Sequence, residues 1–336
     1  MIITLSSDIT PEQLQSLSAL IGSFGYKLTE VKTQGGRYLV AVGSAEFDIR
    51  LVGKAPGVSD VHRVSDAYKL VSRKWRVTPT VIDLGGETHV HEGDLTLIAG
   101  PCAIESEEQV RSVVSHLKRN GVAIMRGGAF KPRTSPYAFR GLGLEGLKMF
   151  HSIASQAGIK VISEVVSPGH IAEMYPYIDI FQVGARNSQN FDLLGELGKV
   201  DKPVLLKRAM AGTLEELLQS AEYIFSSGNE KLILCERGVR TSEPSYRNAL
   251  DLNAIPALKE KSHLPVIVDP SHGVGVRRWV EPVALAAIMA GADGIIFEVH
   301  KHPEEALSDG AQTLNYLQSE RLIRRARAAF QFRRGL

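Results

Sequence analysis

The residues best placed to do chemistry begin in the run from Met125 to Gly141, where Arg126, Lys131, Arg133 and Arg140 stand among glycines, prolines and hydroxyls. No acid occurs between Gln109 and Leu144, so the run asks for an anion. A basic loop taken alone is more often a solvated surface than a site. Here the cations accompany Gly127-Gly128, which lets backbone approach a ligand closely, and Arg and Lys supply the forked and compact donors that suit phosphate and carboxylate. Arg186, Lys207 and Arg237 follow short apolar runs later in the chain. Together with Arg126 and Lys131 they bring more positive charge than a buried rim holds without a multiply charged anion. A substrate with both phosphate and carboxylate accounts for their number. A second set, Cys102, His272, Glu298 and Asp309, offers a thiolate, an imidazole and two carboxylates. That mixture suits Mn, Fe, Co or Zn and does not choose among them.

For these residues to meet, the chain must bring distant segments to one rim. From Leu95 onward, short aliphatic strands alternate with amphipathic helical stretches, the pattern of βα units and a parallel sheet. The strands are read at Leu95–Ala99, Val122–Met125, Lys160–Ser163, Ile178–Val183, Val204–Leu206, Leu232–Leu234, Val266–Val268 and Gly294–Phe297. Eight units in roughly 240 residues match a (β/α)8 TIM barrel, whose active sites lie at the carboxyl ends of the strands. The exits read Gly100-Pro101-Cys102, Arg126-Gly127-Gly128, Glu164, Gly184-Ala185-Arg186, Lys207-Arg208, Glu236-Arg237, Asp269-Pro270-Ser271-His272 and Glu298-Val299-His300. Any one of them has a dull explanation, such as a small buried thiol or a solvated lysine. In a barrel the dull explanation must hold eight times at one rim. Cys235, inside an apolar strand, reads as core.

The preceding residues have a different pattern. Ile2–Leu5 reads as a strand, Thr10-Pro11-Glu12 as a capped helix start, and Lys27–Thr33 and Arg37–Val42 as a hairpin about Gln34-Gly35-Gly36. A helical piece near Phe47–Val52 and a strand at Val58–Val64 complete βαββαβ, the ferredoxin-like order. Residues 1–64 thus form a small α+β unit, and 65–92 a mixed, basic linker with a hairpin about Gly85-Gly86. The barrel occupies 93–336. His89 and His91 share one strand face but have no third ligand nearby, so they are expected on an exposed hairpin. The arginines between Arg321 and Arg334 are expected to form a solvated helix face.

The composition limits the partners. A formal net charge of +2 in 336 residues argues against a general nucleic-acid or membrane-surface binder, so the local cations point to a small anion. Two cysteines make no disulfide framework, and neither a signal peptide nor a bilayer-spanning run is evident. The expectation is a soluble, cytoplasmic protein.

With these segments assembled, the chain resembles the 3-deoxy-D-arabino-heptulosonate 7-phosphate synthases. The matching stretches are Ala99-Gly100-Pro101-Cys102, Arg126-Gly127-Gly128, Lys131-Pro132-Arg133-Thr134-Ser135, Gln182 to Asn187, Leu205 to Arg208, Cys235 to Gly238 and Asp269 to His272. They cover the whole barrel, and the N-terminal unit looks like the regulatory domain of one branch of that family. Ala103 departs from it, standing where many relatives have Ser. The resemblance implies that phosphoenolpyruvate condenses with erythrose 4-phosphate and water, feeding aromatic amino acid synthesis through the shikimate pathway. It implies that Arg126, Lys131, Arg186, Lys207 and Arg237, with the Ala185 backbone, hold phosphoenolpyruvate. Lys131, Pro132, Arg133, Thr134 and Asp269 would receive the aldose phosphate, and Glu164, Lys131 and Lys207 would serve catalysis. One divalent metal, Mn2+ before Fe2+, Co2+ or Zn2+, would sit on Cys102, His272, Glu298 and Asp309. A tyrosine or phenylalanine effector at the N-terminal unit and a homotetramer are also implied. Competing readings are 3-deoxy-D-manno-octulosonate 8-phosphate synthase, a sister enzyme using arabinose 5-phosphate, and a non-catalytic aromatic amino-acid sensor on the same scaffold.

Overall fold

The computed structural model describes residues 1–132, 135 and 137–336. Its N-terminal unit has the expected element order: β1 (Ile2–Leu5), a helix at Pro11–Ser23, β2 (Lys27–Lys32), β3 (Arg37–Val42), a helical turn at Arg50–Gly53 and β4 (Val58–His62). Thr10 caps the first helix through a reciprocal bond with Gln13, and Pro11 sits where a missing N–H costs nothing. The strands form one antiparallel sheet in the order β2-β3-β1-β4. Strand alternation explains the consecutive apolar residues Ile2 and Ile3. Ile3, Leu5, Leu39 and Ala41 face Leu17, Ile21 and Val52 of the unit's own core, whereas Ile2, Val31 and Tyr38 join the main core of the barrel. The sheet is therefore apolar on both faces.

The segment expected to be a linker is packed. Tyr68, Leu70 and Val71 are buried in the main core, and the Leu70 and Val71 amides donate to the two carboxylate oxygens of Glu222 at 2.9 and 3.0 Å. Its charges are peripheral to four large apolar side chains, Tyr68, Leu70, Val71 and Trp75, which decide its burial. The hairpin of β5 (Val81–Asp83) and β6 (His89–His91) is not exposed on both sides either. Ile82, Leu84 and Val90 cluster with barrel-interior residues and close one end of the barrel. His89 Nδ1 lies 3.5 Å from Asp83 Oδ1, and His91 Nδ1 bonds the Glu92 carbonyl at 2.7 Å. Neither histidine joins a metal-ligand group among the described residues.

Eight parallel strands make a closed barrel: β7 (Thr96–Gly100), β8 (Ile124–Arg126), β9 (Lys160–Glu164), β10 (Ile180–Val183), β11 (Val204–Lys207), β12 (Leu232–Glu236), β13 (Val266–Val268) and β14 (Gly294–Glu298). All eight overlap the strands read from the sequence. The last helix, Tyr316–Arg334, buries Leu322, Ile323, Ala326 and Phe330. Its arginines are not simply solvated: Arg321 and Arg325 pair with Glu281, and Arg327 donates to the Asn120 and Gly121 carbonyls at 2.8 Å. These are contacts across the barrel's helical shell. Among the described residues, no helix is long and apolar enough to cross a membrane.

Candidate active site

Each barrel strand points one apolar side chain into the barrel: Ile98, Ile124, Ile162, Ile180, Leu205, Ile233, Ile267 and Ile296 form a single buried cluster. Strand geometry puts the residue two positions later on the same inward side. That next layer is Gly100, Arg126, Glu164, Gln182, Lys207, Cys235, Asp269 and Glu298. An apolar plug of Ile and Leu thus supports a ring of charged and polar groups, one step nearer the carboxyl ends of the strands. Gly100, with no side chain, and Cys235 are the exceptions to the ring's polarity. Cys235 is fully buried with the isoleucines, and burial pushes its thiol well up, in keeping with a core role.

The four donors expected to hold a metal converge. Their ligand atoms, from Cys102, His272, Glu298 and Asp309, all lie within 4.8 Å of one another. Asp309 Oδ2 is 3.2 Å from Cys102 Sγ and 3.7 Å from His272 Nε2, and Glu298 Oε1 is 3.3 Å from His272 Nε2. A shell of partners fixes the set. His272 Nδ1 bonds Asp269 Oδ2 at 2.7 Å, leaving Nε2 toward the other three donors. Ser308 Oγ and Lys131 Nζ approach Cys102 Sγ at 2.8 and 3.1 Å, and Gln312 donates to Glu298 at 2.9 Å. Burial disfavours a charged His272, but the Asp269 and Glu298 carboxylates outweigh it and push the imidazole up to about 10. A divalent ion would take the place of that proton on Nε2. Asp309 stands in the left-handed backbone region at φ 54°, which aspartate tolerates better than most residues.

Beside this set lies a cleft of about 270 Å³, lined by six cations: Arg126, Lys131, Arg186, Lys207, Arg237 and Arg247. Pro132, Glu164 and Ala185 line it too. Arg126 is 3% exposed; its Nη1 donates to Glu298 Oε1 at 2.8 Å and to the Pro101 carbonyl at 3.0 Å, so it also braces a metal donor. Burial depresses the Arg237 guanidinium, as a cation waiting for a counter-charge would be. Two glycines make room for the arrangement. A Cβ on Gly128 would lie 2.5 Å from Lys131 Cδ and 2.9 Å from the Cys102 carbonyl oxygen, and one on Gly184 would lie 2.0 Å from Glu164 Oε1.

Most of the expected residues are thereby brought together, while Asp269 is not among those lining the cleft. Asp269, expected to receive a substrate, is 1% exposed and fully engaged: Oδ1 accepts the His272 amide at 3.0 Å, and Oδ2 accepts both His272 Nδ1 and the Lys207 ammonium. Its place is behind the site, coupling a metal donor to a cleft lysine. Arg133 and Thr134 lie outside the described residues. Arg208, Glu236 and His300, also strand exits, turn away. Arg208 pairs with Glu236 at 3.0 Å and Asp251 at 3.2 Å, and His300 stands 3.6 Å from Glu105. The sequence assigned no role to Gln182, which stood only within a matching stretch, or to Ser308, Gln312 and Arg247. Gln182 alone had a signal, the inward position two residues after Ile180.

Known proteins match the chain over most of its length. Residues 80–329 match the DAHP synthetase I family. Over 317 residues the chain is 45% identical to the phospho-2-dehydro-3-deoxyheptonate aldolase of Thermotoga maritima, covering 94% of each chain. It is similar to a crystal structure of the Thermotoga maritima DAHP synthase with a TM-score of 0.78 and 43% identity, over 97% of this chain and 96% of that one. A truncated form of the Thermotoga maritima enzyme is 45% identical with a TM-score of 0.73, covering 78% of this chain and 95% of its own. The 2-dehydro-3-deoxyphosphooctonate aldolase of Geobacter sulfurreducens is 32% identical over 273 residues, 75% of this chain and 96% of that one.

Proposed function

The chain belongs to the DAHP synthetase I family, and from that premise we propose that it condenses phosphoenolpyruvate, erythrose 4-phosphate and water to 3-deoxy-D-arabino-heptulosonate 7-phosphate and phosphate. This is the first step of the shikimate pathway. A C–C bond forms between C3 of phosphoenolpyruvate and the aldehyde carbon, water adds at C2, and phosphate leaves from C2. The observation that carries the reading is one cleft in which cations from four strand exits face four metal donors.

The donor set fits a divalent ion by its chemistry. A thiol, an imidazole with its second nitrogen committed to Asp269, and two carboxylates bring their ligand atoms within 4.8 Å of one another. Such an ion, Mn2+ by preference, supplies Lewis-acid polarisation of the aldehyde oxygen. The chain's own residues do the rest. Arg126, Lys131, Arg186, Lys207 and Arg237, with the Ala185 backbone, hold the phosphate and carboxylate of phosphoenolpyruvate; Lys131, Pro132, Arg133 and Thr134 receive erythrose 4-phosphate. Lys131 reaches both the thiol of Cys102 and the cleft, so it stands where the two substrates meet. Glu164 and Lys207 line the cleft and manage the proton of the water that adds at C2, while Asp269 acts through His272 and Lys207.

Residues 1–64 contribute no described residue to the cleft, which suits a regulatory unit that binds tyrosine or phenylalanine and leaves the chemistry to residues 93–336. The hairpin and the packed segment of 65–92 join the two. A cytoplasmic homotetramer completes the reading. The 32% identity to an octonate aldolase favours a second reading, with arabinose 5-phosphate as the acceptor. Turnover with the two aldose phosphates tests the choice. Preference for erythrose 4-phosphate is expected, preference for the five-carbon sugar would overturn it, and no product from either would leave only a sensor.

A further inference from the structure

We propose that Arg247 is a positioning residue for the metal set: it grips one carboxylate oxygen of Asp309 and so turns the other toward Cys102 and His272. The inference rests on the four-donor reading above. Arg247 Nη1 donates to Asp309 Oδ1 at 3.2 Å, and Oδ2 of the same carboxylate is the atom near Cys102 Sγ and His272 Nε2. Asp309 needs such a grip. It lies in no strand or helix, and its backbone is left-handed at φ 54°, so no regular element orients its side chain.

The loop that carries Arg247 is built to deliver it. Val239 and Ala249 bridge the base of the loop, and the Arg247 and Asn248 amides donate to the Val274 and Gly273 carbonyls at 2.9 and 3.1 Å. Asn248 Nδ2 donates to the carbonyl of His272 itself at 2.8 Å. The loop is thus stitched to the segment that bears one metal donor while its arginine holds another. Gly275, at φ 69°, completes the seat, because a Cβ there would lie 2.5 Å from Arg247 Cβ.

The sign of a charge effect makes the proposal testable. A guanidinium beside a cation site repels the ion, so if Arg247 acted only as a charge, neutralising it would tighten metal binding. If it acts by orienting Asp309, the same change loosens binding. Metal-stripped full-length protein is titrated with Mn2+ by calorimetry, with thermal unfolding of the metal-free protein as the check on folding. Arg247→Met is expected to weaken Mn2+ binding by roughly 10–100-fold, the usual effect of losing an outer-shell partner, without moving the metal-free unfolding midpoint. Arg247→Lys, which keeps a donor of nearly the same reach, is expected to recover most of that loss. Mn2+ binding by Arg247→Met as tight as wild type, or tighter, overturns the proposal. Should that variant fail to unfold cooperatively, Arg247→Gln replaces it, with an amide that stops short of Asp309 and the same two outcomes. Cys102→Ser separates the two levels of the argument: if it too keeps full Mn2+ affinity, the four-donor reading itself fails.

Discussion

Replacing Asp269 by asparagine keeps the side chain's size and one acceptor while removing a negative charge that the structure uses four ways. Oδ1 caps the short helix at Pro270–Val274 through the His272 amide, and Oδ2 takes His272 Nδ1 and the Lys207 ammonium. Its charge also faces Arg237. An asparagine must choose. If its oxygen keeps the cap, its NH2 group confronts two donors; if it turns over, the cap is lost and one acceptor serves two donors. Asp269 and Lys207 are 1% and 5% exposed at the side chain, so water repairs neither arrangement. Each charge-assisted hydrogen bond contributes roughly 1.5–3 kcal/mol, and stripping one partner from a buried pair costs about 3–5 kcal/mol because the other charge stays uncompensated. The expected stability loss of the metal-free protein is therefore about 3–5 kcal/mol. Metal affinity falls for two reasons of the same sign: His272 loses the acceptor that orients it, and the site becomes more positive. A drop of roughly 10–100-fold is expected. Denaturant unfolding of the metal-free protein and Mn2+ calorimetry measure the two effects. A stability loss under about 1 kcal/mol with unchanged Mn2+ affinity would refute the reasoning. A raised KM for the aldose phosphate as the sole effect would instead restore Asp269 as a substrate contact.

Three other perturbations probe different parts of the molecule. Lys131→Ala removes the ammonium that approaches Cys102 Sγ and lines the cleft; turnover should fall by about 100-fold or more with the unfolding transition unmoved, and an unchanged rate would make the basic loop decorative. Burial pushes His263 down to about 3 from the ordinary 6.5, its ring held between Thr80 Oγ1 and the Leu70 carbonyl. The unfolded chain therefore binds a proton that the folded chain refuses, and stability should fall by about 1.4 kcal/mol per pH unit as pH drops from 6.5 toward 3. His263→Gln should flatten the acid limb of the unfolding profile, and identical slopes would exclude the histidine. Removing residues 1–64 should leave an active enzyme indifferent to tyrosine and phenylalanine; insensitivity of the full-length protein to both would defeat the regulatory reading.

What could be read beforehand, and what could not, follows from how each residue reaches the site. The strand-borne residues were visible because two periodicities coincide in them. Ile124 and Arg126, Ile162 and Glu164, Leu205 and Lys207, Ile267 and Asp269, and Ile296 and Glu298 are each an inward apolar residue followed, one pleat later, by an inward charged one. A pattern of that kind survives without coordinates because strand geometry is nearly invariant. Roles were less visible than positions. Asp269 has the type of a substrate contact, and only the placement of Lys207 and His272 on either side shows that its oxygens are already taken. The segment after His62 was misjudged because charges on its surface masked Tyr68, Leu70, Val71 and Trp75, whose partners come from distant parts of the barrel. The arginines of the last helix are largely exposed, as expected, but their pairing with Glu281 was not legible, because Glu281 is 40 residues from Arg321. Arg247 is the limiting case. Nothing periodic marks it, its loop is held mainly by backbone bonds to a distant segment, and its significance depends on the single carboxylate it meets. Loop residues that act on other residues are therefore the part of a barrel enzyme that requires the fold before they can be found, and they are where substitution can separate metal binding from substrate binding.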